Sequence, residues 1–272
     1  MPHLKALSGI EWNYDLEGEG DGVLLFLHGW GVDKRIWRQQ AKYFSQFYKV
    51  MTIDLPGHGE SSWIKVSLEV MSQDIDYILD NLSIKELSVV GSSLGALLAL
   101  RFYKNHPQKF KSLVLVGSMP KFTRSDDYPF GLDVHSIRKL STQLENAYPS
   151  IVNIFFRSLF THEERQSRRF KWLQTFRQND GVPMKKALME YLDLFEHEDL
   201  RGHFKDIKIP VQIINGEEDQ ICTKETVLFM RSELPQTKVY FFEQCGHFPF
   251  LSKPHEFNQI LSDFLKQIHY GE

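Results

Sequence analysis

The feature that most constrains this chain is a short junction, Gly91-Ser92-Ser93-Leu94-Gly95. A short apolar run, Leu87–Val90, enters it directly. Leu94–His106 leaves it directly and reads as a buried helix that stops before Pro107. A chain that passes so abruptly from strand to helix must double back on itself, and only small neighbours leave room for that. Gly91 and Gly95 supply the room. The pattern G-x-S-x-G alone is weak, since with Gly and Ser each near seven per cent about one chain in ten of this length carries it by chance. Its place between a strand and a helix makes it a nucleophile elbow, with Ser93 projecting at a helix N-terminus. The alternative is a plain Gly/Ser turn.

The rest of the chain fits that junction. Val23–Leu27, Lys49–Ile53, Leu113–Val116, Val211–Ile214 and Val239–Phe242 are further short apolar runs. Continuous runs of this length suit parallel strands covered on both faces. Between them, Ser67–Leu82 carries Leu68, Met71, Ile75, Ile78 and Leu79 on one helical face. Strands alternating with helices predict an α/β sheet with right-handed crossovers. The alternation breaks from Met119 to Lys208, where the pattern is helical, aromatic and charged. The expectation is a core domain of residues 1–118 and 209–272, with residues 119–208 as a helical cap inserted before the last strands. Glu17–Gly22 reads as a hairpin-like loop and not a phosphate loop, because no helix and no Gly-Lys-Ser/Thr follow.

Composition excludes several classes. The net charge of −3 gives no basic field for nucleic acid. No window approaches the apolar length of a membrane span, and the N-terminus lacks a secretory signal pattern. A cytoplasmic monomer is the expectation. Cys222 and Cys245 are too few for a disulfide framework and read as reduced, half-buried thiols. There is no C-x-x-C, and His162-Glu163-Glu164 lacks the second His of H-E-x-x-H. No G-x-G-x-x-G follows a strand. Neither a metal nor another cofactor is expected.

A serine hydroxyl needs a base to become a nucleophile. Ser, then Asp or Glu, then His is one chain order in which such triads occur. His247, in Gln244-Cys245-Gly246-His247-Phe248-Pro249 after the last apolar run, can reach back over the sheet edge. His106, His135, His162, His197 and His255 lie in helices or the insert and read as solvated or packing residues. The turn Asn215-Gly216-Glu217-Glu218-Asp219 offers three carboxylates. Asp219 is the choice, in a G-x-x-D turn, with Glu217 and Glu218 solvated. Two backbone N–H groups must receive the oxyanion. One is that of Leu94. The other is that of Trp30, in the loop His28-Gly29-Trp30-Gly31, where His28 would brace the loop.

Taken together, HGWG, Asp54–Ser61 (DLPGHGES), GSSLGA, GEED and GHFPF resemble the landmarks of the α/β-hydrolase superfamily, in order, from Val23 to the end. That resemblance implies a mostly parallel central sheet with helices on both faces and a helical cap. Several segments look more specifically like the pimeloyl–acyl-carrier-protein methyl ester esterases of biotin synthesis. They are HGWG followed by Trp37 and DLPGHGES, Gly117–Phe122 running into Asp126-Asp127-Tyr128-Pro129, and Phe156–Thr161. This resemblance implies a cofactor-free carboxylic ester hydrolase that releases methanol, with an acyl-carrier protein as partner. It places Phe156, Arg157, Ser158, Leu159 and Phe160 on the acyl chain, beside Trp30, Ser93, Leu94 and His247. Ser92 stands where that family carries Trp, and Ile151–Phe155 lacks its cap arginines. Other readings are a general short-chain carboxylesterase, a carbon–carbon bond hydrolase of the same fold, and a non-catalytic small-molecule receptor.

The insert is basic. Arg157, Arg165, Arg168, Arg169, Lys171, Arg177, Lys185 and Lys186 face only Glu163, Glu164 and Asp180. Spacing at i, i+3 and i+4 puts Arg165, Arg168 and Arg169 on one helix face. With Lys171 they form a candidate dock for an acidic carrier protein, the alternative being a solvated basic face. Phe155, Phe156, Phe160, Trp172 and Phe176 are candidates for cap core and pocket wall.

Overall fold

The computed structural model describes residues 2–178 and 182–270. Its strands are β1 (His3–Lys5), β2 (Glu11–Glu17), β3 (Val23–Leu27), β4 (Lys49–Ile53), β5 (Leu87–Ser92), β6 (Phe110–Val116), β7 (Val211–Gly216) and β8 (Lys238–Phe242). They form one sheet in the order β1-β2-β4-β3-β5-β6-β7-β8. From β4 across to β8 every pair is parallel, while β2 runs antiparallel to β4.

The apolar runs divide residue by residue between the two faces. Leu25, Leu27, Met51, Ile53, Val89, Leu113, Leu115 and Ile213 join one buried cluster, with Leu68, Met71 and Ile75 of α2 (Leu68–Asn81) and Leu97 and Leu98 of α3 (Leu94–Asn105). Leu24, Phe26, Val50, Val90, Val114, Val116 and Ile214 join the other. There they meet Ala41 and Phe44 of α1 (Arg38–Phe44), and Phe257 and Leu261 of α11 (Pro254–Tyr270). Successive side chains of a strand point to opposite faces, so a strand between two helical layers must be apolar at every position. Ser67 starts α2 by accepting the Val70 N–H on its hydroxyl.

One expectation fails here. Glu17–Gly22 does not close a hairpin, because β4 lies between β2 and β3. The loop instead crosses the turn before β4. A Cβ on Gly18 or Gly20 would collide with the main chain of Ser45–Tyr48. Those glycines serve close backbone approach. The cysteines also differ from expectation: both are free and fully buried.

Between β6 and β7 come α4 (Val134–Ala147), α5 (Ser150–Ser158), α6 (His162–Gln166), α7 (Arg168–Gln178) and α8 (Lys185–His197). After β7 follow α9 (Lys224–Glu233) and, beyond β8, α10 (Pro249–Ser252), before α11. Thr161 and Glu164 form a reciprocal capping box on α6. Ser167 is extended, with ψ 152°, and separates α6 from α7. Arg165 therefore sits on a different helix from Arg168 and Arg169, and the single basic face expected from their spacing does not form. Among the described residues no helix is long and apolar enough to cross a membrane.

Candidate active site

Ser93 occupies the turn between β5 and α3 with φ 53° and ψ −114°. A non-glycine residue held there costs about 1–3 kcal/mol and persists only where its surroundings enforce it. They do so from several sides. The Ser93 N–H donates to Val116 O at 3.0 Å, and Ser93 O accepts the Ala96 and Leu97 N–H groups. A Cβ on Gly91 would lie 2.5 Å from Ala96 Cα, and one on Gly95 would fall on the carbonyl of Leu27. The Leu94 N–H begins α3, where helix geometry offers it no acceptor and the helix dipole favours negative charge.

His247 follows β8 and is only 2% exposed. Its Nδ1 lies 2.7 Å from Asp219 Oδ2. A carboxylate accepts, so Nδ1 carries the proton and Nε2 presents a lone pair. Asp219, 3% exposed, also accepts the N–H groups of Ile221 at 2.8 Å and Cys222 at 3.1 Å on Oδ1. Glu217 and Glu218 point to solvent, and Glu217 pairs with Lys224 at 3.1 Å. The ring of His247 lies against Gly117, where a Cβ would come 3.1 Å from Nδ1 and Cε1. Gly117 has φ 53°, so its position suits glycine twice over.

The HGWG loop packs directly on the elbow. A Cβ on Gly29 would come 3.3 Å from Ser93 Cβ. The Trp30 indole N–H donates to Leu188 O of α8 at 3.0 Å, anchoring the loop to the helices above. From below, two buried histidines hold it. His28 Nε2 accepts the Leu55 N–H at 2.9 Å, which leaves Nδ1 to donate to Gly29 O at 2.8 Å. His58 Nε2 accepts the Gly31 N–H at 3.2 Å. Burial, before any other cause, pushes His28 down to about 4 and His58 to about 3, so both rings stay neutral and can accept. The bracing role expected of His28 is the geometry seen, and His58 of DLPGHGES is a second brace.

Ser93, His247, Gly29 and Trp30 open into a cavity of about 310 Å³. Its wall is largely apolar: Phe122, Leu132, Ile137, Leu140, Phe155, Leu159, Leu192, Phe195, Ile221 and Phe248. Ser136, Lys139 and Gln143, all exposed on α4, make a polar mouth. Among the described residues no group of three or more His, Cys, Asp or Glu side chains could hold a metal ion.

The sequence profile of the α/β-hydrolase fold family matches residues 22–254. The chain belongs to that family. This α/β-hydrolase is 32% identical over 243 residues to a pimeloyl-[acyl-carrier protein] methyl ester esterase from Nitrosomonas europaea, covering 89% of this chain and 95% of that one. An esterase of the same name from Wigglesworthia glossinidia brevipalpis is 31% identical over 256 residues, covering 93% and 96%. Among solved structures, an esterase from Exiguobacterium antarcticum superposes with a TM-score of 0.88 over 97% of this chain and 98% of its own, at 22% identity.

Phe156–Phe160, expected on the acyl chain, divide between the cavity wall, the core and the surface. Of Phe156–Phe160 only Leu159 lines the cavity. Phe156 and Phe160 are buried behind it against Phe248, with ring centroids 5.7 and 5.6 Å away. Arg157 and Ser158 face outward, and the Arg157 guanidinium lies 5.6 Å above the Phe170 ring. A helix shows only one face to the cavity, so a contiguous stretch cannot line it throughout. Phe155 lines the cavity, Trp172 is exposed, and the side chain of Phe176 lies outside the described residues. Missed in the sequence were Gly117 and the α4 and α8 contributions. Ile137 and Leu140 do carry helical spacing, but that pattern marks a buried face without saying what covers it.

The basic residues also divide. Arg165 donates to Phe160 O at 2.6 Å. Arg169 is turned inward onto Leu251 O and, at 2.8 Å, Gln39 Oε1. Arg168 and Lys171 are exposed.

Proposed function

We propose that this hydrolase cleaves pimeloyl-[acyl-carrier protein] methyl ester to pimeloyl-[acyl-carrier protein] and methanol, with Ser93, His247 and Asp219 as its triad. One observation carries the chemistry: the elbow serine and a buried histidine line one largely apolar cavity, and that histidine is paired from behind with Asp219. The esterase-named relatives support the substrate.

In this reading His247 Nε2 takes the Ser93 proton as Oγ attacks the ester carbonyl. The N–H groups of Trp30 and Leu94 hold the oxyanion. The bond between the carbonyl carbon and the methoxy oxygen breaks, and His247 gives its proton to that oxygen, releasing methanol and leaving the acyl group on Ser93. Water then attacks the acyl-serine, losing its proton to His247. The bond from the acyl carbon to Ser93 Oγ breaks, His247 returns that proton to Oγ, and the acid leaves. Asp219 keeps the imidazole in the required tautomer and stabilises the imidazolium.

Residues 119–208 serve as the cap over a core of 1–118 and 209–272. The apolar wall accommodates the methylene chain, whose methyl ester end lies at Ser93. The carrier end emerges past Ser136, Lys139 and Gln143, which can hydrogen-bond the thioester and amide groups of the arm. The carrier protein docks on the exposed Arg168 and Lys171.

The test is hydrolysis of the carrier-bound methyl ester by purified protein, followed as methanol release, beside growth of a biotin-requiring strain that lacks its own esterase. Wild-type protein should succeed in both and Ser93→Ala in neither. Near-wild-type turnover by Ser93→Ala would remove the triad. Hydrolysis of a small free methyl ester but not of the carrier-bound one, without growth rescue, would keep the triad and discard the carrier-bound substrate.

A further inference from the structure

The loop that carries His247 is held by the insert as well as by the sheet. The His247 N–H donates to Leu159 O at 2.8 Å. The neighbouring Gly246 N–H donates to Glu164 Oε2 at 3.0 Å. That same oxygen accepts the Thr161 N–H at 2.6 Å, and Thr161 Oγ1 accepts the Glu164 N–H at 3.1 Å. A capping box ordinarily satisfies the first turn of its own helix and nothing else. Here its carboxylate also reaches a glycine 82 residues along the chain.

The fit around that glycine is close. A Cβ on Gly246 would meet Leu159 O, and would lie 3.1 Å from Glu164 Oε2 and from Phe160 Cα. Across the ring stands Gly117, equally without space for a side chain. His247 is thus gripped between sheet and insert. Asp219 sets the ring's tautomer and rotation, but it cannot set the height of the main chain. Two hydrogen bonds donated to the insert do that, and the one accepted by a carboxylate is of the stronger charge-assisted kind.

We propose that Glu164 is a positioning residue for the catalytic base: by holding the Gly246 N–H it fixes His247 over Ser93 and ties the base to the placement of the cap. The inference rests on the triad reading above. It also links substrate to base, because Leu159 both lines the cavity and accepts the His247 N–H.

The test compares Glu164→Ala, Glu164→Gln and Thr161→Ala with wild type. Thr161→Ala removes the hydroxyl half of the capping box and leaves Glu164 on Gly246, so it controls for loss of the α6 cap alone. Readouts are kcat and KM for a short free methyl ester, thermal midpoint, and the rate at which a small organophosphonate labels Ser93. A displaced base should cost Glu164→Ala about ten- to hundredfold in kcat and in labelling rate, with KM within about twofold. Glu164→Gln keeps an acceptor oxygen and should stay within about threefold of wild type, a few tenths of the loss on a logarithmic scale. Thr161→Ala should lower the thermal midpoint and leave kcat intact. Wild-type kcat in Glu164→Ala overturns the proposal. So does an equal kcat loss in Thr161→Ala, which would make the effect one of helix capping. Should Glu164→Ala not fold, Glu164→Asp, one methylene short of Gly246, replaces it with the same expectation. Ser93→Ala runs alongside: a dead Ser93→Ala with an unimpaired Glu164→Ala overturns this proposal alone, whereas an active Ser93→Ala overturns the triad and the proposal together.

Discussion

Asp219 Oδ2 lies 2.7 Å from His247 Nδ1, while Oδ1 of the same carboxylate is fixed by the N–H groups of Ile221 and Cys222. The carboxylate therefore has no freedom to turn away from the ring. Glu218 reaches the same neighbourhood only through its main-chain N–H, which donates to Cys245 O at 3.0 Å.

Asp219→Asn should accordingly cripple turnover by presenting an N–H to Nδ1 and stabilising the wrong tautomer, a loss of about four orders of magnitude in a comparable triad. Glu218→Gln should leave kcat nearly unchanged. Paired steady-state kinetics decide this, and the reverse pattern would move the acid by one position.

Leu140 is half-buried on the cavity wall, whereas Arg157 faces out. Leu140→Trp should narrow the cavity and lower kcat/KM for a seven-carbon acyl ester by about tenfold, on the scale of one or two methylenes of pocket contact. An acetate ester should be affected much less. Arg157→Ala should alter neither free ester. Equal losses on long and short esters for Leu140→Trp would mean that the acyl chain lies elsewhere.

His28 and His58 titrate near 6.5 in an unfolded chain but are pushed down to about 4 and about 3 in the fold, first by burial. As pH falls from about 6.5 towards 4, the unfolded chain binds protons that the folded chain does not, so stability declines through that window. Asp54 acts in the opposite sense. Burial pushes it up to about 6, so the folded state binds the extra proton between about 6 and 3.8 and gains from acidification. Two histidines outweigh one carboxyl, each pKa unit being worth about 1.4 kcal/mol. The thermal midpoint should be lower at pH 5 than at pH 7.5. His58→Gln should start lower and decline less steeply. A midpoint that is flat over this range would contradict a neutral histidine pair.

Arg168 is exposed, whereas Arg169 is tied to Leu251 O and Gln39. Arg168→Glu should raise KM for the carrier-bound ester, leave a small free methyl ester unaffected, and lose its effect as salt screens charges over about 8–10 Å. Arg169→Ala should instead lower thermal stability and activity on both substrates. Substrate-independent behaviour of Arg168→Glu would locate carrier docking elsewhere.

Local chemistry explains how much was legible. Val23–Leu27 and Lys49–Ile53 were readable to the residue because strands buried on both faces need unbroken apolar runs. Ser93 was readable because a strand-to-helix elbow tolerates only small neighbours at Gly91 and Gly95. β2 was not readable: in Glu11–Glu17 buried Trp12, Asn13 and Tyr14 sit among acidic residues, and its pairing with β4 rather than β3 is a long-range choice.

The sequence by itself determined the α/β alternation, the elbow, and Asp219 and His247 as candidates, because each depends on residue type within a few positions. Only the tertiary structure decided which groups meet. Whether Leu159 or Arg157 faces the cavity, whether Arg165 shares a face with Arg168, and that Glu164 reaches Gly246 all depend on how helices turn and pack. Each of those contacts joins segments whose spacing along the chain says nothing of their distance in the fold. A one-dimensional pattern can mark a buried or charged face, but the partner of that face is fixed only when the sheet brings distant segments together.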